Sequence, residues 1–184
     1  PVFLGWYGRR RNRDGGTERT MAVRDQKRAV LALLKSRGLS GYRARYRAPL
    51  FVVLGPGGSG KSSILKQSGL QLGNGVRIGD AIWWVGKEGI FVEATLGAGH
   101  ETILQLTALL SALRPDLPLN GILLILAPAD LALADSIEYE TLTQATTESI
   151  REIEKRTRRR YPVYLLLSKI DLAPGFREFF DRHE

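Results

Sequence analysis

Residues 50–63 read LFVVLGPGGSGKSS, a continuous apolar run, a glycine-rich loop and then Lys-Ser-Ser opening a helical stretch. An apolar run without polar alternation fits a strand buried on both faces, the central position of a parallel sheet covered by helices. The loop satisfies GxxxxGK[ST] with Gly55, Gly60, Lys61 and Ser62, and its place between a predicted strand and a predicted helix is the context that phosphate binding requires. Gly57, Gly58 and Gly60 let the backbone turn tightly so that successive N–H groups converge on phosphates, at the positive end of the helix that follows. Gly55, Pro56, Gly57, Gly58, Ser59, Gly60, Lys61, Ser62 and Ser63 are therefore the expected nucleotide loop. Lys61 would bridge the β- and γ-phosphates and Ser62 would offer its hydroxyl to a metal, with Mg²⁺ and ATP or GTP as the expected ligands.

The remaining pattern alternates. Apolar runs at 81–85 (AIWWV), 89–94 (GIFVEA), 121–127 (GILLILA) and 162–168 (PVYLLLS) are separated by helical stretches near 60–69, 100–113 and 136–159, which predicts an α/β domain with a mainly parallel sheet. Within 100–113, Ile103, Leu106, Leu110 and Leu113 recur at helical spacing and are expected in the core. AIWWV and GIFVEA are separated only by Gly86, Lys87 and Glu88, too few residues for a parallel crossover, so they must form an antiparallel hairpin. A glycine-loop sheet with one such hairpin between its first helix and its acidic strand is the layout of GTPase-like domains. The predicted fold is thus α/β, a P-loop NTPase of the GTPase-like kind, with helices on both faces. Five strands are counted where that fold uses six, so the chain is expected to be truncated and the sixth strand to follow residue 184.

Two further segments bear on chemistry. SKID, residues 168–171, follows PVYLLL where such domains read the base, so Lys169 is expected to lay its stem on the ring and Asp171 to accept from it, with Ser168 in place of the usual Asn. Glu93 ends the acidic strand and is the second expected metal-side residue beside Ser62. The usual switch is less well served. Leu96 stands at the third position after the acid, where glycine would free the backbone N–H for a γ-phosphate, unless Gly97 substitutes one residue late. No Thr lies between Ile64 and Val92, and no Gln directly follows the acid. His100 is the only titratable candidate nearby for that task, at a predicted helix start where a structural role is the default. The catalytic residues are left unknown.

Charge divides the chain. Residues 1–47 hold 13 Lys/Arg against 3 Asp/Glu, and the rest holds 14 against 16, so the basicity belongs to an N-terminal segment and not to a folded groove for nucleic acid. The chain opens PVFLGWY and continues GRRRNR. Seven residues cannot span a bilayer, which takes ~20. Residues 1–7 are read as the cytoplasmic end of a truncated transmembrane helix, with Trp6 and Tyr7 at the interface and Arg9, Arg10, Arg11 and Arg13 obeying the positive-inside rule; a basic tail is the competing reading. Residues 1–21 would be this end and a juxtamembrane linker, 22–47 a connecting helix and linker, and 48–184 the nucleotide domain, incomplete at its C-terminus. The absence of cysteine excludes disulfides and thiolate metal sites. KRTRRR, residues 155–160, ends the long predicted helix and complements its dipole.

SGL (68–70), the Trp pair (83–84), RPDLPLNGILL (114–124) and PVYLLLSKIDLAPGFREFF (162–180) together resemble the TssM/IcmF family of type VI secretion systems, over about residues 48–180 and in the family's order. The resemblance implies a cytoplasmic GTPase-like domain after the second of three transmembrane helices of a bacterial inner-membrane protein. It also implies homo-oligomers in the full complex, and TssL, TssJ and baseplate components as partners. Carried over by position, Gly55 to Ser63 is the nucleotide loop and Ser168 to Asp171 the base-reading motif. The sequence departs from the family at Glu93-Ala94-Thr95-Leu96, commonly Asp-Thr-Ala-Gly, and lacks a Thr just before the Trp pair. Both departures bear on hydrolysis. The leading expectation is a nucleotide-binding scaffold domain; the alternatives are an active Mg²⁺-dependent NTPase and a structural module with an empty loop.

Overall fold

The computed structural model describes residues 21–97, 100–132, 134–173 and 175–180. The transmembrane end expected at residues 1–7 and its Arg cluster lie outside them; among the described residues no helix is long and apolar enough to cross a membrane.

The apolar runs form six strands, β1 (Leu50–Gly55), β2 (Val76–Ile78), β3 (Ala81–Val85), β4 (Ile90–Thr95), β5 (Gly121–Leu126) and β6 (Val163–Leu167). Their order is β2-β3-β4-β1-β5-β6, with β4, β1, β5 and β6 mutually parallel and β2 and β3 antiparallel to their neighbours. The hairpin deduced from the three-residue gap is present, pairing Val85 with Ile90 and Ile82 with Glu93. It is one half of a larger meander. Val76–Ile78 is a strand that the five expected runs did not include, and it doubles back onto β3 through a turn opened by Gly79 at φ +59°.

Helices flank both faces unequally. On one face α1 (Val23–Ser36), α3 (His100–Leu113) and α5 (Ser136–Thr157) close over Val52, Leu54 and Ile122. Ile103, Leu106, Leu110 and Leu113 are all buried there, as their spacing requires. Val30 and Leu34 of α1 join the same core. The other face carries α2 (Lys61–Gln67), whose Leu65 packs with Val53, Trp84, Phe91 and Ile125. Two short helices, α4 (Pro128–Ala132) and α6 (Phe176–Phe180), complete the described chain.

The loops that lead into the parallel strands knit together at one end of the sheet. Asn120 accepts from the Leu50 N–H at 2.8 Å through its side chain and donates its own N–H to Leu50 O at 2.7 Å, which fixes the start of β1 against that of β5. Arg114 is buried over the Tyr46 ring, 4.8 Å from its centroid, and donates to Asn120 Oδ1 at 3.2 Å. At the far side β6 is, among the described residues, an edge strand with little cover: Val163, Tyr164, Leu165 and Leu167 are all exposed.

Candidate functional site

β1 delivers the glycine-rich loop to the end of the sheet where the parallel strands finish. Gly55 has no room for a side chain, because a Cβ there would collide with Ile125 O and lie 2.7 Å from Ser59 Oγ. Gly58 and Gly60 take φ +78° and +82°, left-handed conformations that cost other residues about 1–2 kcal/mol. Gly60 passes directly into α2, so Lys61 and Ser62 occupy its first turn, with Ser63 exposed beside them.

The Lys61 side chain is buried and folds back along the loop, its ammonium donating to Gly55 O at 2.9 Å and Pro56 O at 2.8 Å. Burial pushes its pKa below the ordinary 10.5, with the Glu93 carboxylate pulling the other way. Ser62 Oγ lies 2.9 and 2.8 Å from the two carboxylate oxygens of Glu93 and donates to them. Glu93 stands on β4, beside Val53 of β1, so the pairing of two adjacent parallel strands brings together residues 31 positions apart. Glu93 also accepts from the buried Trp84 indole N–H at 3.3 Å. The two expected metal-side residues are therefore in contact.

This donor set suits a small hard cation. A Mg²⁺-type ion takes few protein oxygens and fills its shell with phosphate and water. A hydroxyl and a carboxylate at the mouth of a glycine loop fit that demand, and among the described residues no cluster of three or more His, Cys, Asp or Glu side chains offers another metal site.

The switch-like segment differs from its usual form. The Leu96 N–H donates to Gly55 O at 3.0 Å, and its side chain is fully buried in the main core. Its backbone is held by the loop and its side chain by the core. Gly97 takes φ +79° one residue later, so the permissive glycine is displaced by one position. His100 begins α3; its side chain lies outside the described ones.

On the opposite flank, Ser168 is buried against the loop. Its Oγ lies 2.7 Å from Ser59 O and 3.2 Å from Leu126 O, so its single proton ties the loop to the end of β6. Lys169 follows at φ +50° and pairs with Asp130 of α4 at 3.2 Å. Asp171 sits in a 3-10 turn, Ile170–Leu172, with its side chain exposed. The motif's first residue thus touches the loop, and the next two lie just beyond it. Beside Pro56 and Gly57 on the β5 side is a largely apolar cavity of about 210 Å³, walled by Leu126, Leu131, Ile137 and Leu142 and reached by Asp130.

Three contributors escape sequence reasoning: Trp84, Asp130 and the Ser59 carbonyl. For Trp84 a signal existed. The short hairpin loop fixes its register, which pairs Trp84 with Phe91 and Ile82 with Glu93 and so sets all four on one face. Asp130 lies on a five-residue helix that carries no pattern of its own.

The sequence profile of the IcmF-related N-terminal domain matches residues 99–184. The type VI secretion system component TssM1 of Pseudomonas aeruginosa is 33% identical over 174 residues, covering 83% of this chain. The chain spans only 16% of that protein's length. A crystal structure of an ADP-ribosylation-factor-like GTP-binding protein, the small COPII coat GTPase SAR1 of Encephalitozoon cuniculi with GDP, aligns over 79% of this chain and 77% of its own at 10% identity. Its TM-score is 0.29, and nothing about fold or ligand follows from it.

Proposed function

The chain belongs to the TssM/IcmF family of type VI secretion components, and from that premise we propose that it is the nucleotide-binding domain of the secretion scaffold, with a P-loop fold of the GTPase-like kind. Mg²⁺ with ATP or GTP is its ligand, held at Gly55–Ser62, and the bound state shapes the surface offered to the rest of the membrane complex. The domain sits on the cytoplasmic side of the inner membrane, in an assembly with TssL-type proteins of that membrane, TssJ-type lipoproteins of the outer membrane and cytoplasmic baseplate components.

One observation carries the reading: the contact of Ser62 with Glu93, at 2.8–2.9 Å, beside the Lys61 ammonium. A loop kept only as a turn has no need of a buried ammonium and a buried carboxylate at the same mouth, since each charge is costly to bury. Glu93 and Ser62 would hold the metal, Lys61 would exchange its two carbonyl partners for phosphate oxygens, and Lys169 with Asp171 would meet the base. The bound metal would neutralise phosphate charge. The commitment of the Leu96 amide to Gly55 O supports binding over turnover, so no residue is given a catalytic role.

Equilibrium binding of fluorescent ATP and GTP tests the reading, with Lys61→Ala as the control. Saturable binding of at least one nucleotide that Lys61→Ala abolishes is expected. Identical curves for the two chains, or none for either nucleotide, would reject it.

A further inference from the structure

The two adjacent tryptophans of β3 point to opposite faces of the sheet and do different things. Trp83 is wholly buried in the main core, and its indole N–H has no hydrogen-bond partner. Trp84 faces the smaller core, and its N–H is spent on Glu93 Oε2 at 3.3 Å. Trp83 bears the cost of a buried N–H without an acceptor, whereas the Trp84 proton meets a buried carboxylate.

We propose that Trp84 is the positioning residue that holds the Glu93 carboxylate in place for the metal, through its indole N–H on Oε2. This rests on the nucleotide-binding reading above and deepens it. Glu93 reaches Ser62 through one more rotatable bond than an Asp would have, so its carboxylate needs a second anchor. The Ser62 proton is one anchor, and a metal that takes the Ser62 oxygen disturbs it. Trp84 supplies the one that stays: an indole N–H cannot ligate a cation and has no other partner to turn to. A donor on Oε2 also restricts rotation of a carboxylate whose two oxygens both face Ser62, the role that outer-shell hydrogen bonds play around ligating side chains.

The indole itself is held from behind. Gly75, in the segment before β2, passes so close that a Cβ there would lie 2.8 Å from Trp84 Cε2 and Cζ2. The ring is confined between the Gly75 backbone and the cluster of Val53, Leu65, Phe91 and Ile125. It cannot swing away from Glu93 without displacing one or the other.

The test is a Mg²⁺ titration of the chain loaded with fluorescent GTP or ATP in EDTA, which separates nucleotide binding from metal binding. Trp84→Phe is expected to leave EDTA-state nucleotide affinity unchanged while weakening Mg²⁺ by roughly 10–100-fold. Trp83→Phe should leave the Mg²⁺ midpoint where it is. Gly75→Ala provides a second arm that keeps the indole, and it should weaken Mg²⁺ in the same direction by crowding the ring. In the unaltered chain and in Trp83→Phe, Mg²⁺ should also shift tryptophan emission, a response that Trp84→Phe lacks. If the unaltered chain binds nucleotide and its Mg²⁺ midpoint survives both Trp84→Phe and Gly75→Ala, the positioning role is overturned and the site reading stands. If the unaltered chain binds neither nucleotide, both fall together.

Discussion

At the scale of single residues, Lys61 shows how a site and a fold pull in different directions. Its ammonium is buried, and two backbone carbonyls are its hydrogen-bond partners. Because burial lowers its pKa beneath the ordinary 10.5, the unfolded chain binds this proton more tightly than the folded one. The penalty is in full force below the folded pKa and is relieved as pH rises from it toward 10.5. Lys61→Met, of similar length and without the charge that is costly to bury, should therefore stabilise the domain by about 1 kcal/mol at neutral pH. It should also remove the gain in stability that this lysine confers as pH rises toward its ordinary 10.5, as urea unfolding over a series of alkaline pH values would show. A variant more stable than its parent and unable to bind nucleotide would be the signature of a residue retained for a ligand. Much of this scale was readable beforehand: GxxxxGK[ST] marks Lys61 and Ser62, and strand pairing places Glu93 beside the loop. The fold-back of Lys61 was not, because it depends on where carbonyls point once Gly58 and Gly60 have turned.

At the scale of elements, legibility followed hydrophobic contrast. The continuous apolar runs identify β1, β3, β4, β5 and β6 within a residue or two, the first four because a covered strand holds few polar residues and β6 by apolar composition alone, since most of it is exposed. β2 was missed because its three residues are mostly exposed and its place is set by the Gly79 turn and the partner strand. α5 is the reverse case, long and polar, burying only Ser149 and Ile153 along its 22 residues. Such a helix leans on its ends. Asp135 accepts from the Glu138 N–H at 2.8 Å while Glu138 accepts from the Asp135 N–H at 3.2 Å, a reciprocal cap at the N-terminus. Asp135→Ala should cost about 1 kcal/mol of stability, measured by thermal or urea unfolding. Nucleotide binding should be unaffected, because the hydrogen bonds of the cap run between Asp135 and Glu138. The PLNG segment makes sense at this scale too: Asn120 joins the start of β5 to that of β1 through its side chain and its backbone, a long-range role no local pattern reveals.

At the scale of the whole molecule, the sheet is insulated well on the side of α1, α3 and α5 and lightly on the side of α2. The alternation of apolar runs made the mainly parallel α/β architecture readable, but it carries no record of how completely each strand is covered. β6 is where this matters. Its outer edge lies beyond the last strand of the sheet, and Leu165 is 59% exposed on a strand whose neighbours Tyr164 and Leu167 are about as open. Leu165→Lys should alter folding stability by no more than about 0.5 kcal/mol and should lower concentration-dependent association, which sedimentation velocity over a range of concentrations would reveal. An edge of this kind pairs with any extended chain that comes near. The practical outcome is colloidal: the solubility of a purified sample should answer to the exposed apolar residues of β6 at one border, where a single charge in place of Leu165 would raise it.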